Sequence, residues 1–227
     1  DSSGTSDTSL ASADLNSAAT TGKGTMYPRR SIATLSSTPI TDALNAGSNQ
    51  VIGRVTVAAN AAGDISWKKL AFTVNKTAAV TIGATTTVAL YNSANTQITG
   101  TFATTTGAQL AQTESFTVLA TSGTLVFEAT TEQQISAGSS VSYELRGTVG
   151  GLAAGSNLSV SVAAPSTSAT TVAYATIHTQ VGDTGESFVW SDRSSISTVH
   201  SEATLDWTHD YLVKTLPLTV GNRSVSF

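Results

Sequence analysis

Few residues in this chain have the types and spacing to do chemistry. Asp183-Thr184-Gly185 matches the tripeptide that carries the carboxylate of an aspartic protease. That chemistry needs two carboxylates sharing one proton at the ends of apolar strands. Here Val181-Gly182 precedes the tripeptide and no second copy exists, so a polar turn is the preferred reading. His178, His200 and His209 are the three histidines. Their separations match neither a His-x3-His zinc pair nor a Glu-bearing helix. They read as surface or loop histidines. Asp192, Glu202, Asp206 and Asp210 crowd one loop-rich stretch and have the hard oxygens that calcium takes. No EF-hand or repeat accompanies them, so solvated or capping acids are expected. A nucleophilic trio can be drawn from Ser191, His200 and Asp206. No Gly-x-Ser-x-Gly elbow supports it, and a serine-rich chain offers such trios freely. The chain has no cysteine, which removes thiol catalysis and thiolate metal sites. No catalytic residue, metal ligand or cofactor site is therefore assigned.

Binding chemistry is scarcely richer. Trp190 and Trp207 have the rings of a sugar-stacking platform, yet each lies in a strand-like run and reads as a core anchor. Asn75-Lys76-Thr77, Asn157-Leu158-Ser159 and Asn222-Arg223-Ser224 are N-glycosylation sequons. Asn75, Asn157 and Asn222 are thus candidate glycan acceptors, although a chain this rich in Ser, Thr and Asn produces sequons by chance. The Ser/Thr-rich tail is an equal candidate for O-linked glycans.

The elements that would position these groups are strands. Ser and Thr supply roughly a third of the 227 residues, and only 11% are charged. Thr and Val, both β-branched, recur where strands are expected. Leu70, Phe72 and Val74 alternate with Lys69, Ala71 and Thr73, the period of a half-buried strand. Val51, Val55 and Val57 read as one face of another strand, with Arg54 and Thr56 on the other face. Leu158, Val160 and Val162 mark a third. Tyr143 and Leu145, Val88 and Leu90, and Leu125 and Phe127 continue the pattern, as do Phe116 and Val118. Turns are expected at Ala61–Asp64, Tyr91–Asn95 and Ala137–Ser139. Helix is scarce, the best stretch being Ser36–Ala46. Residues 1–28 are Ser, Thr, Ala and Gly with almost no bulky side chain, the composition of an extended tail.

A net charge of -4 with 11 scattered Lys and Arg argues against nucleic acid as a partner. No window approaches the ~18 apolar residues of a membrane-spanning helix. The chain opens on Asp1-Ser2-Ser3, as expected where a leader has been cleaved.

The most specific text lies in the C-terminal third. It runs Phe188-Val189-Trp190-Ser191-Asp192-Arg193-Ser194, then Asp206-Trp207-Thr208, then Tyr211-Leu212-Val213-Lys214-Thr215-Leu216-Pro217. With Gly63-Asp64-Ile65-Ser66-Trp67-Lys68-Lys69-Leu70-Ala71-Phe72, Ile135–Gly138 and Tyr143–Gly147, it resembles secreted β-rich surface proteins of candidate-phyla-radiation bacteria (Patescibacteria). The likeness spans roughly residues 50–217. Members of that group carry Asn-Gly before the Tyr, where this chain has His209-Asp210. The architecture is also similar, more loosely, to β-sandwich subunits of camelysin-type biofilm fibres and archaeal bundling pili. In those, a terminal strand of one subunit completes the sheet of the next.

The expectation is an all-β protein, an antiparallel β-sandwich or jelly roll of roughly ten strands. An extended N-terminal tail occupies 1–28, and the sandwich domain 29–227. The function expected is that of an extracellular filament or surface-layer subunit, a homopolymer built head-to-tail by strand addition rather than an enzyme. Residues 1–28 are the first candidate donor and Leu218–Phe227 the second. The alternative is an adhesin or carbohydrate-binding module taking host or cell-surface glycans, which requires an exposed aromatic cluster. A hydrolase ranks third.

Overall fold

The computed structural model describes residues 29–82, 88–104, 109–110, 121–166, 172–177, 186–195, 199–211 and 213–225. Asp183, His178, Phe116, Val118 and the tail 1–28 lie outside them. The regular structure is almost entirely antiparallel strand, arranged in two sheets. The first sheet runs from β1 (Ala33–Ser36) through β2 (Gly47–Ala59) to β9 (Ser140–Gly150). On the far side of β9, β5 (Ala89–Asn92) lies opposite Tyr143–Arg146, and β4 (Thr81–Ile82) opposite Val149–Gly150.

The second sheet centres on β3 (Ile65–Lys76). One side of β3 pairs with β8 (Ser122–Ile135), followed by β6 (Gly100–Thr104) and β7 (Gln109–Leu110). The other side is shared. β11 (Phe188–Ser191) pairs with the first half of β3 and β10 (Asn157–Val162) with the second. β12 (Trp207–Thr208) extends the sheet from β11, and β13 (Leu218–Ser224) extends it from β10.

The inner faces meet in one core. Leu70, Phe72, Val74, Val88, Leu90, Tyr143 and Leu145 are all buried there, as their alternation predicts. Trp67 joins the sheets. Its indole N–H donates to the Tyr143 hydroxyl at 3.1 Å, and the rings meet edge-on with centroids 4.9 Å apart. Burial pushes the Tyr143 hydroxyl up to about 12.

Two strand readings are corrected. Val51 does not share a face with Val55. Val51 pairs with Arg146, and Gly53 already pairs with Leu145. Ile52 is therefore the extra residue of a bulge and turns into the core in place of Val51. Strand β3 is not half-buried over its first half, since Lys69 and Ala71, on its outer face, are also buried. A second, smaller cluster covers that outer face. Val189, Trp207, Tyr174 and Ile177 form it, the last two from α1 (Tyr174–Ile177), with Val172 packed alongside.

The stretch 37–46 is not helical. Arg223 takes its carbonyls instead, donating to Asp42 O at 3.0 Å and to Ala43 O, while Leu44 N–H donates to Ser224 O. At the same corner β13 crosses β2 so closely that a Cβ on Gly221 would overlap the Ile52 carbonyl oxygen. The three expected turns form. At Asn92–Thr96 the Asn92 side chain accepts the N–H groups of Ala94 and Thr96, and Asn95 takes the left-handed conformation, φ 59°.

Candidate functional site

The outer side of the second sheet gathers the chain's polar chemistry. β8 contributes Glu132, β3 contributes Ser66, and β11 contributes Ser191 with Arg193 just beyond it. The loop 199–206 lays His200 across them. His200 Nδ1 meets Glu132 Oε2 at 2.6 Å. Its Nε2 meets Ser191 Oγ at 2.9 Å and Asp206 Oδ1 at 3.1 Å. Thus Ser191, His200 and Asp206, drawn from sequence as a trio, are in contact. The carboxylate on the orienting nitrogen is Glu132, 68 residues away, which no local spacing reveals.

The connectivity Ser191–His200–Glu132 is that of nucleophile, base and orienting acid. The surroundings differ from those of a catalytic serine. Ser191 and Asp206 are buried at 0% and 2% exposure, so neither is presented to solvent. Asp206 competes with Ser191 for the nitrogen that would take the serine proton. The Ser191 oxygen also accepts the Arg193 N–H at 2.9 Å. His200 thus has a carboxylate within hydrogen-bond distance of each ring nitrogen. The ring further packs against Trp207, centroids 5.3 Å apart.

Arg193 ties the group down. Its backbone adopts φ 51°, uncommon for a residue with a side chain. From there its guanidinium reaches Glu132 at 2.7 Å and Ser66 at 2.8 Å. Asp206 takes Ser195 N–H on its other oxygen and Thr204 Oγ1–H on the first. Desolvation pushes its pKa up, but these donors and the facing His200 outweigh it and hold it below the usual 3.8.

The remaining acids also spend themselves on backbone. Asp192 accepts Ser194 N–H, Ser194 Oγ–H and Arg30 N–H. Asp210 accepts N–H groups from Ser166 and Ser187, both at 2.9 Å, and the Ser166 hydroxyl. Glu202 is the exposed member and pairs with Lys68 at 2.8 Å. The four acids therefore do not converge as a calcium site would require. Among the described residues no three His, Cys, Asp or Glu side chains are placed to hold a metal ion. Glu132 and Asp206 sit on opposite nitrogens of the His200 ring and cannot point at one ion.

His200 and His209 lie in loops, as expected, but their side chains are not on the surface. His209 is 7% exposed, and its Nδ1 has no hydrogen-bond partner, Asp210 standing off at 4.0 Å. Desolvation depresses its pKa below 6.5, against the pull of Asp210 and Glu186. Trp190 and Trp207 are both buried, but on opposite faces of the sheet. Trp190 lies across from Thr208 and Trp207 across from Ser191, so alternation sends one to each core. Asn75, Asn157 and Asn222 are exposed.

No family model matches the chain, and no curated protein matches its sequence. Among the described residues no helix is long and apolar enough to cross a membrane.

Proposed function

We propose that this chain is a structural subunit of an extracellular filament or surface layer, joined to its neighbours by β-strand addition with residues 1–28 as the donor. The observation that carries the reading is how the chain spends its polar groups. Among the described residues the Ser191–His200–carboxylate cluster is largely buried and engaged in pinning loops to a sheet, as a load-resisting sandwich needs and a catalytic surface does not. The strand likeness to secreted surface proteins points the same way.

The choice of donor follows from the edges. Leu218–Ser224 is paired with β10 of its own chain, so the first candidate, the tail, is taken as the donor. Most edges are capped from within. The edge of β12 exchanges both hydrogen bonds with Val172, that of β1 donates its Leu35 N–H to Thr215 Oγ1, and that of β5 is met by Thr96 and Ile98. Among the described residues, β6 is met on its outer side only by the two residues of β7. Strand addition joins an incoming segment to a sheet edge through backbone hydrogen bonds, and we place the joint at this edge. A head-to-tail joint of this kind does not close, so it propagates as a fibre.

The adhesin alternative asks for exposed aromatic rings. The large hydrophobic residues exposed among the described ones are Ile32, Val199 and Leu205. Deletion of residues 1–28 tests the proposal. Electron microscopy is expected to show folded, unpolymerised protein, and the tail added back as a peptide is expected to raise the melting temperature. Filaments or sheets of unchanged repeat from the truncated chain would rule the tail out as donor.

A further inference from the structure

The three sequons are far apart in sequence and adjacent in space. Strands β3, β10 and β13 are neighbours, and their register aligns the motifs. Asn75, Ser159 and Asn222 form one row across the strands. Thr77, Asn157 and Ser224 form the next: Asn157 pairs with Ser224, and its N–H donates to Thr77 Oγ1 at 3.0 Å. In a strand, residues i and i+2 share a face. Asn157 with Ser159, and Asn222 with Ser224, therefore point outward together, as does Asn75, while the Thr77 hydroxyl turns to the β10 backbone. The middle residues Lys76, Leu158 and Arg223 are cross-strand partners and are buried.

The surroundings match this patch. The neighbouring outward positions are Ser122 and Thr124 on β8, Thr73 on β3, Ser161 on β10 and Thr219 on β13. None of them is charged or bulky, whereas the outer face of the other sheet carries Arg54, Glu144 and Arg146 in a salt-bridged row. A saccharide laid over the sequon face meets only hydroxyls and amides and desolvates no charge.

We infer that this face is an N-glycosylation patch, with Asn222 as its principal acceptor. The inference rests on the extracellular reading, because the modification belongs to exported chains. In the transfer, Asn Nδ2 bonds to C1 of the first sugar of a lipid-diphosphate-linked oligosaccharide. The bond from C1 to the phosphate oxygen breaks, the amide loses a proton, and the lipid diphosphate leaves.

The acceptor order follows from the topology. β10 is enclosed between β3 and β13, and the Thr77 hydroxyl is engaged once β10 docks. Among the described residues β13 has β10 as its one strand partner, and its other flank is met by the Leu44 N–H at Ser224 O, beyond Asn222, so the Asn222 sequon is the least enclosed of the three. Asn75 and Asn222 are two strand spacings apart, about 10 Å. A branched glycan on either therefore crowds the other, and single occupancy is expected to dominate.

The test is glycopeptide mapping and intact mass of the protein from its native cells, with surface exposure scored separately by protease shaving of those cells. The expected result is a mass excess of sugar residues on Asn222, shifted to Asn75 or Asn157 in Asn222→Gln. It should be abolished in the triple Asn→Gln variant and in the triple variant Thr77→Ala, Ser159→Ala, Ser224→Ala, which keeps every asparagine. Thermal unfolding of the variants checks that the fold survives. A surface-exposed chain unmodified at all three asparagines overturns the glycan assignment alone. Sugar that persists in the Asn→Gln variant but not in the hydroxyl variant means O-linkage and overturns it as well. A chain that is neither shaved nor glycosylated overturns this inference together with the surface reading.

Discussion

His200 sits between Glu132 and Asp206, and the three bind the 199–206 loop to strands β8 and β11. Its side chain is only 6% exposed. Removing it takes one hydrogen bond from each of two carboxylates that keep other partners, Arg193 for Glu132 and Ser195 and Thr204 for Asp206, a loss of about 1.5–3 kcal/mol. His200→Gln is therefore expected to lower stability by that order in urea unfolding. Ser191→Ala removes one neutral hydrogen-bonding group and should cost about 1 kcal/mol. The inverse result, a stable His200 variant and a crippled Ser191 variant, would mean that the cluster is not a structural clasp. Acid should act in two stages. The folded pKa of His209 lies below 6.5, so the unfolded chain binds that proton more readily, and stability falls as pH drops through 6.5. Asp206, held below 3.8, contributes stability that is complete above that value and lost as pH falls through its folded pKa. Urea midpoints at pH about 8, 5.5 and 3 should decline stepwise, and His209→Gln should flatten the first step. Parallel curves for the two proteins between pH about 5 and 8 would exclude His209 as its source.

At the scale of elements, what was legible in the sequence depended on distance along the chain. The inward set on β3, β5 and β9 followed from alternation, because period two is a local property of the backbone. The Ile52 bulge did not, since an extra residue is invisible without the partner strand. Nor did the burial of Lys69 and Ala71, which depends on Trp207 and α1 arriving more than a hundred residues later. Ser191, His200 and Asp206 were close enough in sequence to be noticed together. Glu132, which completes their contacts, was not. The covering layer over β3 is small, held by Tyr174 against Trp207 with ring centroids 5.2 Å apart and by the Trp207 indole N–H on Ser201 O. Trp207→Ala is expected to cost about 3–5 kcal/mol, as large core truncations do. The loss should be uneven. Hydrogen exchange should rise first at residues 172–177 and 199–211, while β3 and β8 stay protected. Uniform loss of protection across both sheets would mean that the covering layer and the main core unfold as one unit.

The whole molecule is a sandwich whose two ends of described chain play different parts. β13 is an internal piece: it pairs with β10, receives Leu44 N–H at Ser224 O, and anchors residues 42–51 through Arg223. It approaches the other sheet closely at Gly221, where there is no room for a Cβ beside the Ile52 carbonyl. Backbone cannot yield as a flexible side chain does, so Gly221→Ala must push β13 off β2 and should cost about 1–3 kcal/mol. The consequence for assembly differs from that of deleting the tail. Lifting β13 uncovers the edge of β10, and an uncovered edge recruits the equivalent strand of another copy. Gly221→Ala is therefore expected to yield concentration-dependent dimers by exchange of β13, a closed and symmetric product. Deletion of residues 1–28 should instead leave monomers that stay monomeric. Light scattering on the two variants at matched concentrations separates these outcomes. A Gly221→Ala chain as stable and as monomeric as its parent would show that β13 does not need this contact. It would also return Leu218–Ser224 to contention as the strand that passes between subunits.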